Sequence, residues 1–357
     1  MFLEKEGKLI YSYDGETVCI EAWGKDALRV RATKNRSFTG RDWALEAKDA
    51  HAGEVEIFED PSAKGGAFAN MYEGTDTSYG KITNGKLHAV IDSGSVITFY
   101  HEDGRVLLKE HFRRLRDEES MPLNIMGREY SNGVGDNFRI VTRFVARKGE
   151  KIFGMGQYQQ HELDLKGCML ELAQRNSQVS VPFYLSSIGY GFLWNNPGVG
   201  QVMFANNGTE WVTESGKEID YLVIAGDTPA EIEENYMTLT GKPPMMPEYG
   251  MGFWQCKLRY WNQEQLLSVA RKYKELGVPL DVIVVDFFHW TKQGEFKFDP
   301  KYWPDVPGMC RELKEMGIQV VVSVWPTVDI YSENFEEMKE KGYLVRTEHG
   351  VPLTMLC

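Results

Sequence analysis

The spacing of apolar positions changes once along the chain, and the change divides it in two. In the first two-thirds, short runs rich in β-branched and aromatic residues recur: Val18–Trp23, Lys86–Ile91, Val96–Tyr100, Arg139–Phe144 and Val179–Leu185. Turn formers separate such runs, at Tyr13-Asp14-Gly15, Glu102-Asp103-Gly104, Asn132-Gly133 and Asn206-Asn207-Gly208. Many short, turn-punctuated apolar runs predict a large antiparallel β-sandwich. The stretch Gly65–Tyr79, rich in Gly, Thr and Ser, reads as a loop.

From Thr228-Pro229-Ala230-Glu231 the period becomes helical. A Thr N-cap, a Pro in the first turn and an early Glu start a helix that runs to about Thr240. Gly241 to Pro247 then holds three prolines in seven residues, which reads as a linker. Beyond it the predicted elements alternate: strand Gly250–Gln255, helix Asn262–Leu276 stopped by Gly277, strand Val282–Asp286, helix Val306–Met316 stopped by Gly317, strand Gln319–Trp325, helix Glu333–Lys341 stopped by Gly342. Strand–helix alternation is the pattern of parallel βαβ units, and Val282–Val285 is apolar at both parities, as a strand covered on both faces should be. The expected organisation is a sandwich over residues 1–240, a linker over 241–247 and an α/β domain over 248–357. A closed (β/α)8 barrel takes about 250 residues, so the segment 248–357 holds three of its units. An open doubly wound sheet is the alternative, but no GxGxxG or GxxxxGK[ST] opens any of these helices, so its nucleotide-binding version has no support.

Charge narrows the partners. A net charge of −12 argues against nucleic acid and against an anionic membrane surface, and suits a neutral partner such as a sugar. The nine Trp, 17 Tyr and 18 Phe fit that partner, although a core of this size needs most of them. Cys19, Cys168, Cys256, Cys310 and Cys357 are odd in number, far apart and free of any CxxC pair. Neither a disulfide framework nor a thiol metal site is suggested, and no metal or cofactor is expected. The charged start lacks the apolar run of a signal peptide, and no stretch approaches the roughly 20 apolar residues of a membrane span. The expectation is a soluble cytoplasmic protein.

In a parallel barrel, chemistry sits at the C-terminal ends of the strands. Three such loops follow the predicted strands: Cys256 to Trp261, Asp286 to Phe296, and Trp325 to Asp329. They offer carboxylates for hydroxyl groups and rings for apolar sugar faces. Asp286, directly after four apolar residues, either faces a pocket or caps the following turn. His289 reads as a packed or hydrogen-bonded residue rather than a base. Asp299 and Asp305 read as turn formers, and Glu333 as the start of the third helix.

At these loops the sequence resembles a known family. Asp286-Phe-Phe-His-Trp290, Phe298-Asp-Pro300, Trp303-Pro-Asp305 and Val322-Ser-Val-Trp-Pro326 are similar to the early barrel of family 31 glycoside hydrolases. Upstream, Gly154-Met-Gly-Gln-Tyr158, Gln174 to Phe183, Tyr190 to Pro197, Ala225 to Ala230 and Gly252-Phe-Trp254 resemble that family's N-terminal, galactose-mutarotase-like sandwich and its junction to the barrel. The resemblance implies a retaining α-glucosidase or α-xylosidase that uses no metal or organic cofactor. Asp286 matches the aspartate that hydrogen-bonds sugar hydroxyls in the −1 subsite, and Trp325 an aromatic lining the same pocket. Phe287 and Phe288 fall where family members tune the pocket for hexose or pentose. A bulky ring there would crowd a hydroxymethyl group, which leans toward an α-xyloside over an α-glucoside. Arg259 and Trp290 complete the expected substrate-binding set.

The family's chemistry needs a nucleophile and an acid/base carboxylate about 5–5.5 Å apart, carried at the fourth barrel strand and beyond. No Trp-x-Asp or Lys-Thr-Asp motif stands at a fourth strand: the Trp-x-Asp at Trp303-Pro-Asp305 precedes the third, and Lys-Thr-Asp does not occur. No catalytic residue is assigned, because the family gives neither Asp286 nor Asp329 that role. The sequence still resembles the family up to Met355, so it reads as an N-terminal fragment ending within the barrel, inactive by itself. A carbohydrate-binding fragment without turnover and a truncation product without function are the alternatives. Three units alone would leave an unpaired strand edge and uncovered apolar surface. An oligomer stays open for the full-length enzyme.

Overall fold

The computed structural model describes residues 1–46, 49–59, 78–111, 113–115, 123–347 and 350–353, in two units, Met1–Pro243 and Pro244–Cys357. Most of the predicted Gly65–Tyr79 loop lies outside the described residues, and its last two positions begin the strand Ser78–Asn84. Among the described residues no helix is long and apolar enough to cross a membrane. Cys19, Cys168, Cys256 and Cys310 are free thiols.

The first unit is built from strands whose alternating residues turn inward. Leu87–Asp92 is typical: Leu87, Ala89 and Ile91 are fully buried while the residues between them are not. A nine-stranded antiparallel sheet runs in the spatial order Phe2–Lys5, Lys8–Tyr13, Glu16–Trp23, Ala27–Thr33, Ile219–Ala225, Tyr190–Trp194, Val179–Ser186 and Ile152–Gln157, with Ala50–His51 paired onto Glu16–Trp23. Two five-stranded sheets accompany it. One runs from Arg128–Asn132 through Phe138–Phe144, Thr209–Gly216 and Gly200–Phe204 to Met169–Leu172; the other runs from Val106–Lys109 to Glu54–Glu59. The five runs named from the sequence are all strands, shifted by two residues or fewer at each end.

Aromatic rings join the sheets. Tyr221 of the large sheet meets Phe144 at 5.5 Å and Phe99 at 6.2 Å between centroids, one ring from each smaller sheet. Phe192 and Trp211 stack at 5.1 Å, and Trp194 and Trp211 at 5.5 Å. Each fully buried large side chain contributes about 1.5–3 kcal/mol. Charges inside this core are paired. Arg29, fully buried, donates to both carboxylate oxygens of Asp220 at 3.0 and 2.6 Å. Arg128 forks onto Glu16 at 2.9 and 3.0 Å and also reaches Glu110 and Ser95. Burial alone would push the Glu16 carboxyl up, but the Arg128 guanidinium holds it below its ordinary value.

Close backbone approach explains two glycines. A Cβ at Gly156, φ +93°, would lie 2.3 Å from the Val179 carbonyl oxygen, where the pairing of Ile152–Gln157 with Val179–Ser186 slips by a bulge. A Cβ at Gly200 would lie 1.9 Å from the Val212 carbonyl oxygen.

The helix Pro229–Thr240 closes the first unit, its N-cap Thr228 accepting from the Glu231 amide. The residues 241–247 form no regular element. The second unit has a parallel sheet in the order Trp254–Gln255, Val282–Val285, Gln319–Val322, with helices Gln263–Glu275, Val306–Glu315 and Phe335–Glu340. Its core brings Leu266, Leu267 and Ala270 of the first helix and Met309 and Leu313 of the second together with Ile283 and Val285 of the central strand. Asn262 and Asp305 cap the first two helices, accepting from the amides of Gln265 and Gly308 at 2.9 Å each. Asp305, expected as a turn former, is thus an N-cap.

Two strands are shorter than the sequence predicts. In place of Gly250–Gln255 the chain makes a 3-10 turn at Glu248–Met251, where the Gly250 amide bonds back to the Pro247 carbonyl, and only Trp254–Gln255 pairs. The predicted Gln319–Trp325 ends as a strand at Val322; the Ser323 amide still donates to the Val285 carbonyl at 2.9 Å before the chain departs. The third helix begins at Phe335 rather than Glu333, whose side chain instead pairs with Lys297 at 2.6 Å.

Candidate functional site

The central strand Val282–Val285 delivers Asp286 to the C-terminal edge of the parallel sheet. One carboxylate oxygen of Asp286 accepts the Phe287 amide at 2.8 Å and so tightens the turn. The other faces the Cys256 thiol at 3.8 Å, across from the end of the neighbouring strand Trp254–Gln255. Burial pushes the Cys256 thiol above its ordinary range, and the Asp286 charge adds to it, so the group stays a thiol near neutral pH. Cys256 belongs beside the sequence-derived candidates: it follows its strand as Asp286 follows its own, and that shared position was its signal.

Rings continue from the carboxylate. Phe287 stacks on Trp325, the last residue before the Pro326 turn, with centroids 5.3 Å apart and planes within 6°. Phe288 packs against Phe287 at 4.3 Å, with its backbone held at φ 60°. That left-handed conformation is costly for a bulky residue and turns the ring outward, leaving it half exposed. Arg259 places its guanidinium 3.8 Å from the Trp261 ring centre and 5.0 Å from that of Phe288, and donates to the Phe288 carbonyl at 3.4 Å.

Beneath this layer lie Trp290 and His289, both buried. Trp290 contacts Phe288 at 6.2 Å and His289 at 4.7 Å, so it supports the rings rather than standing open beside them. His289 shares a hydrogen bond with the Asp286 carbonyl at 3.1 Å, and its own carbonyl accepts the Asp299 amide at 2.7 Å. Burial lowers the His289 imidazole below its ordinary value, against the opposing pull of Asp286, which keeps it neutral.

Side chains and backbone lock the second strand-end loop to the third. Thr327 donates to Gln293 at 2.8 Å, Lys292 to the Tyr331 carbonyl at 2.9 Å, and Asn334 to the Gly294 carbonyl at 2.7 Å. The buried Glu295 carboxylate accepts from Thr291. Asp329 spends one oxygen on the Tyr331 amide at 2.8 Å. Among the described residues no group of three or more His, Cys, Asp or Glu side chains is arranged to hold a metal ion.

Asp286, Phe287, Phe288, Trp325 and Arg259 thus form one continuous cluster: a carboxylate, two parallel rings with a third packed on them, and a guanidinium held on rings. A sandwich unit followed by parallel βα units, with carboxylate and rings at the strand ends, defines the class of two-unit β plus βα-barrel-type proteins. Comparison with family profiles agrees. "Glycosyl hydrolase 31 N-terminal galactose mutarotase-like domain" matches residues 17–202, and "Glycosyl hydrolases family 31 TIM-barrel domain" matches residues 243–355. The chain belongs to glycosyl hydrolase family 31.

An uncharacterized family 31 glucosidase, ORF2, of Pseudescherichia vulneris is 42% identical over 364 residues, a match covering 99% of this chain and 65% of that protein. An α-xylosidase of Saccharolobus solfataricus is 36% identical over 219 residues, covering 58% of this chain and 30% of that one. A crystal structure of a GH31 α-xylosidase from a soil metagenome, complexed with xylose, superposes with a TM-score of 0.85 at 46% identity, covering 99% of this chain and 51% of the other. The chain therefore spans about two thirds of the length of the first relative and half that of the crystallised one.

Proposed function

We propose that the strand-end surface around Asp286 binds the terminal sugar of an α-linked xyloside, and that a protein carrying it on a complete barrel hydrolyses that bond with retention of configuration. Asp286 accepts hydroxyl protons of the sugar, and the Phe287–Trp325 wall packs on its apolar face. Phe288, with Arg259 against it, limits room for a hydroxymethyl group, which favours a pentose. The carrying observation is the Asp286 carboxylate standing next to the Phe287–Trp325 stack. The α-xylosidase names of relatives at 36% and 46% identity support the same substrate class. We further propose that these 357 residues bind sugar without cleaving it, since they supply no carboxylate pair that we assign as nucleophile and acid/base.

A second reading, an α-glucoside substrate, is favoured by the glucosidase name of the relative at 42% identity. Titrating the purified chain with xylose and with glucose, alongside 4-nitrophenyl α-xyloside and α-glucoside hydrolysis, separates these readings. Xylose binding that is lost in Asp286→Ala, with no nitrophenol release, is the expected result. Tighter binding of glucose would move the assignment to an α-glucosidase. Turnover by this chain would mean that the chemistry lies within the loops described here.

A further inference from the structure

The sandwich unit has a cavity of its own, with a volume of about 760 Å³, within the range of about 300–1,000 Å³ usual for small-molecule sites. It lies where the loop that follows the strand Ala27–Thr33 meets the turns after Trp194 and Gly216. Three cations line it, Arg36, Arg41 and Lys217, against three carboxylates, Asp136, Glu218 and Asp220. The carboxylates are already engaged: Asp136 with Lys217 at 2.7 Å, Asp220 with Arg29 at 2.6 Å, and Glu218 with the Thr39 amide and hydroxyl at 2.8 Å each. Counting Arg29 and its second partner Asp42 beside Asp220, four cations stand against four carboxylates, so the cavity and the groups directly behind it carry no net formal charge.

What it does meet is a ring held in place. Trp43 lines the cavity, is 46% exposed, and has φ 53°, a conformation that a bulky residue adopts only when its surroundings impose it. The surroundings are explicit. The buried Asn195 amide clamps the backbone on both sides of Trp43, donating to the Asp42 carbonyl at 3.1 Å and accepting the Ala44 amide at 3.3 Å. Asn195 is fixed in turn by Asp220 at 2.8 Å, and Arg29 reaches the Arg41 carbonyl at 3.0 Å and Asp42 at 2.8 Å. The Arg41 guanidinium lies over the Trp43 ring, 5.2 Å from its centre, so a ligand meets only the part of the indole that stays exposed. That preorganised ring surface beside a polar lining of balanced charge matches a molecule with one apolar face and a rim of hydroxyl groups. We propose that this cavity is a non-catalytic binding site for a neutral saccharide of one to three units, with Trp43 as its stacking platform.

The assignment uses only the sandwich unit and is independent of the reading of the Asp286 surface. Calorimetric titration of the whole chain with maltotriose tests it, using the wild type, Trp43→Ala, Trp43→Phe and Asp286→Ala. Binding in the millimolar range is expected, weakened at least about tenfold in Trp43→Ala. It should be retained in Trp43→Phe, which keeps a ring, and in Asp286→Ala, which leaves this cavity untouched. Equal affinity in Trp43→Ala and wild type overturns the proposal, as does loss of all binding in Asp286→Ala. Absence of heat with the wild type up to about 10 mM sugar overturns it as well. Glucuronate binding more tightly than glucose in a Trp43-dependent way would overturn the neutral class of ligand.

Discussion

Phe287 and Trp325 come from the ends of two adjacent strands and lie parallel, with centroids 5.3 Å apart. The ring after one strand and the ring beyond the next therefore make one wall. A double-mutant cycle with Phe287→Leu and Trp325→Leu, read as xylose affinity, is expected to give a coupling of about 0.5–1.5 kcal/mol. Strictly additive losses would mean that the rings act separately.

His289 is buried as a neutral imidazole, with its value held below the ordinary 6.5. As pH falls through the unfolded value, the unfolded chain takes up a proton first, so the second unit loses stability below about pH 6.5 and is fully stable above it. An NMR titration should place the His289 midpoint below that of a free histidine. Denaturation at pH 7.5 and 5.5 should show a steeper loss in the wild type than in His289→Gln. A midpoint above 6.5 would reverse the sign.

Arg29 is fully buried and bonds to Asp220, Asp42 and the Arg41 carbonyl. Arg29→Met removes the buried ion-pair partner of Asp220, leaving the Asn195 amide as a donor and Arg31 as a more distant cation. It should cost the first unit about 3–5 kcal/mol, measured by urea denaturation. A loss under about 1 kcal/mol would show that the pair is dispensable.

Gly200 begins the strand Gly200–Phe204 and Gly208 lies in the loop after it, with opposite tolerances. A Cβ at Gly200 would press on the Val212 carbonyl, whereas at Gly208 the nearest atom is an ordinary 3.6 Å away. Gly200→Ala is expected to destabilise the first unit by about 1–3 kcal/mol and Gly208→Ala by no more than about 0.5 kcal/mol. Equal melting shifts would contradict the packing described for Gly200–Phe204.

Features set by near neighbours in the chain were legible before any coordinates. Gly277 and Gly317 stop their helices as the sequence predicts, because such signals act within one turn, whereas Asp305, read as a turn former, is the N-cap of its helix. Apolar content alone misled at Gly250, where Pro247 and a short-range amide bond make a turn out of an apolar run. The same limit appears at Ser323–Trp325, which are strand-like in composition. Only the Ser323 amide still bonds to the central strand, at Val285, and the loop beyond is tied to Gln293 through Thr327 and Asp329. The Asp286 loop stood out because a carboxylate ended an apolar strand. The Trp43 cavity left no such mark: its walls come from loops far apart in sequence, and the Arg29–Asp220 bond beneath it spans 191 positions.

That span has a consequence for how the protein is made. The strand Ala27–Thr33 has Ile219–Ala225 as its far-side neighbour in the large sheet, so this edge stays open until the later strand leaves the ribosome. At roughly 5–20 residues per second, the 191 positions separating Arg29 from Asp220 correspond to roughly 10–40 s of synthesis. Through that interval the nascent meander of the first four strands carries an exposed hydrogen-bonding edge and a guanidinium with only Asp42 of its two carboxylate partners. The guanidinium makes that edge a poor template for another chain, and it becomes a buried tie once translation supplies Asp220.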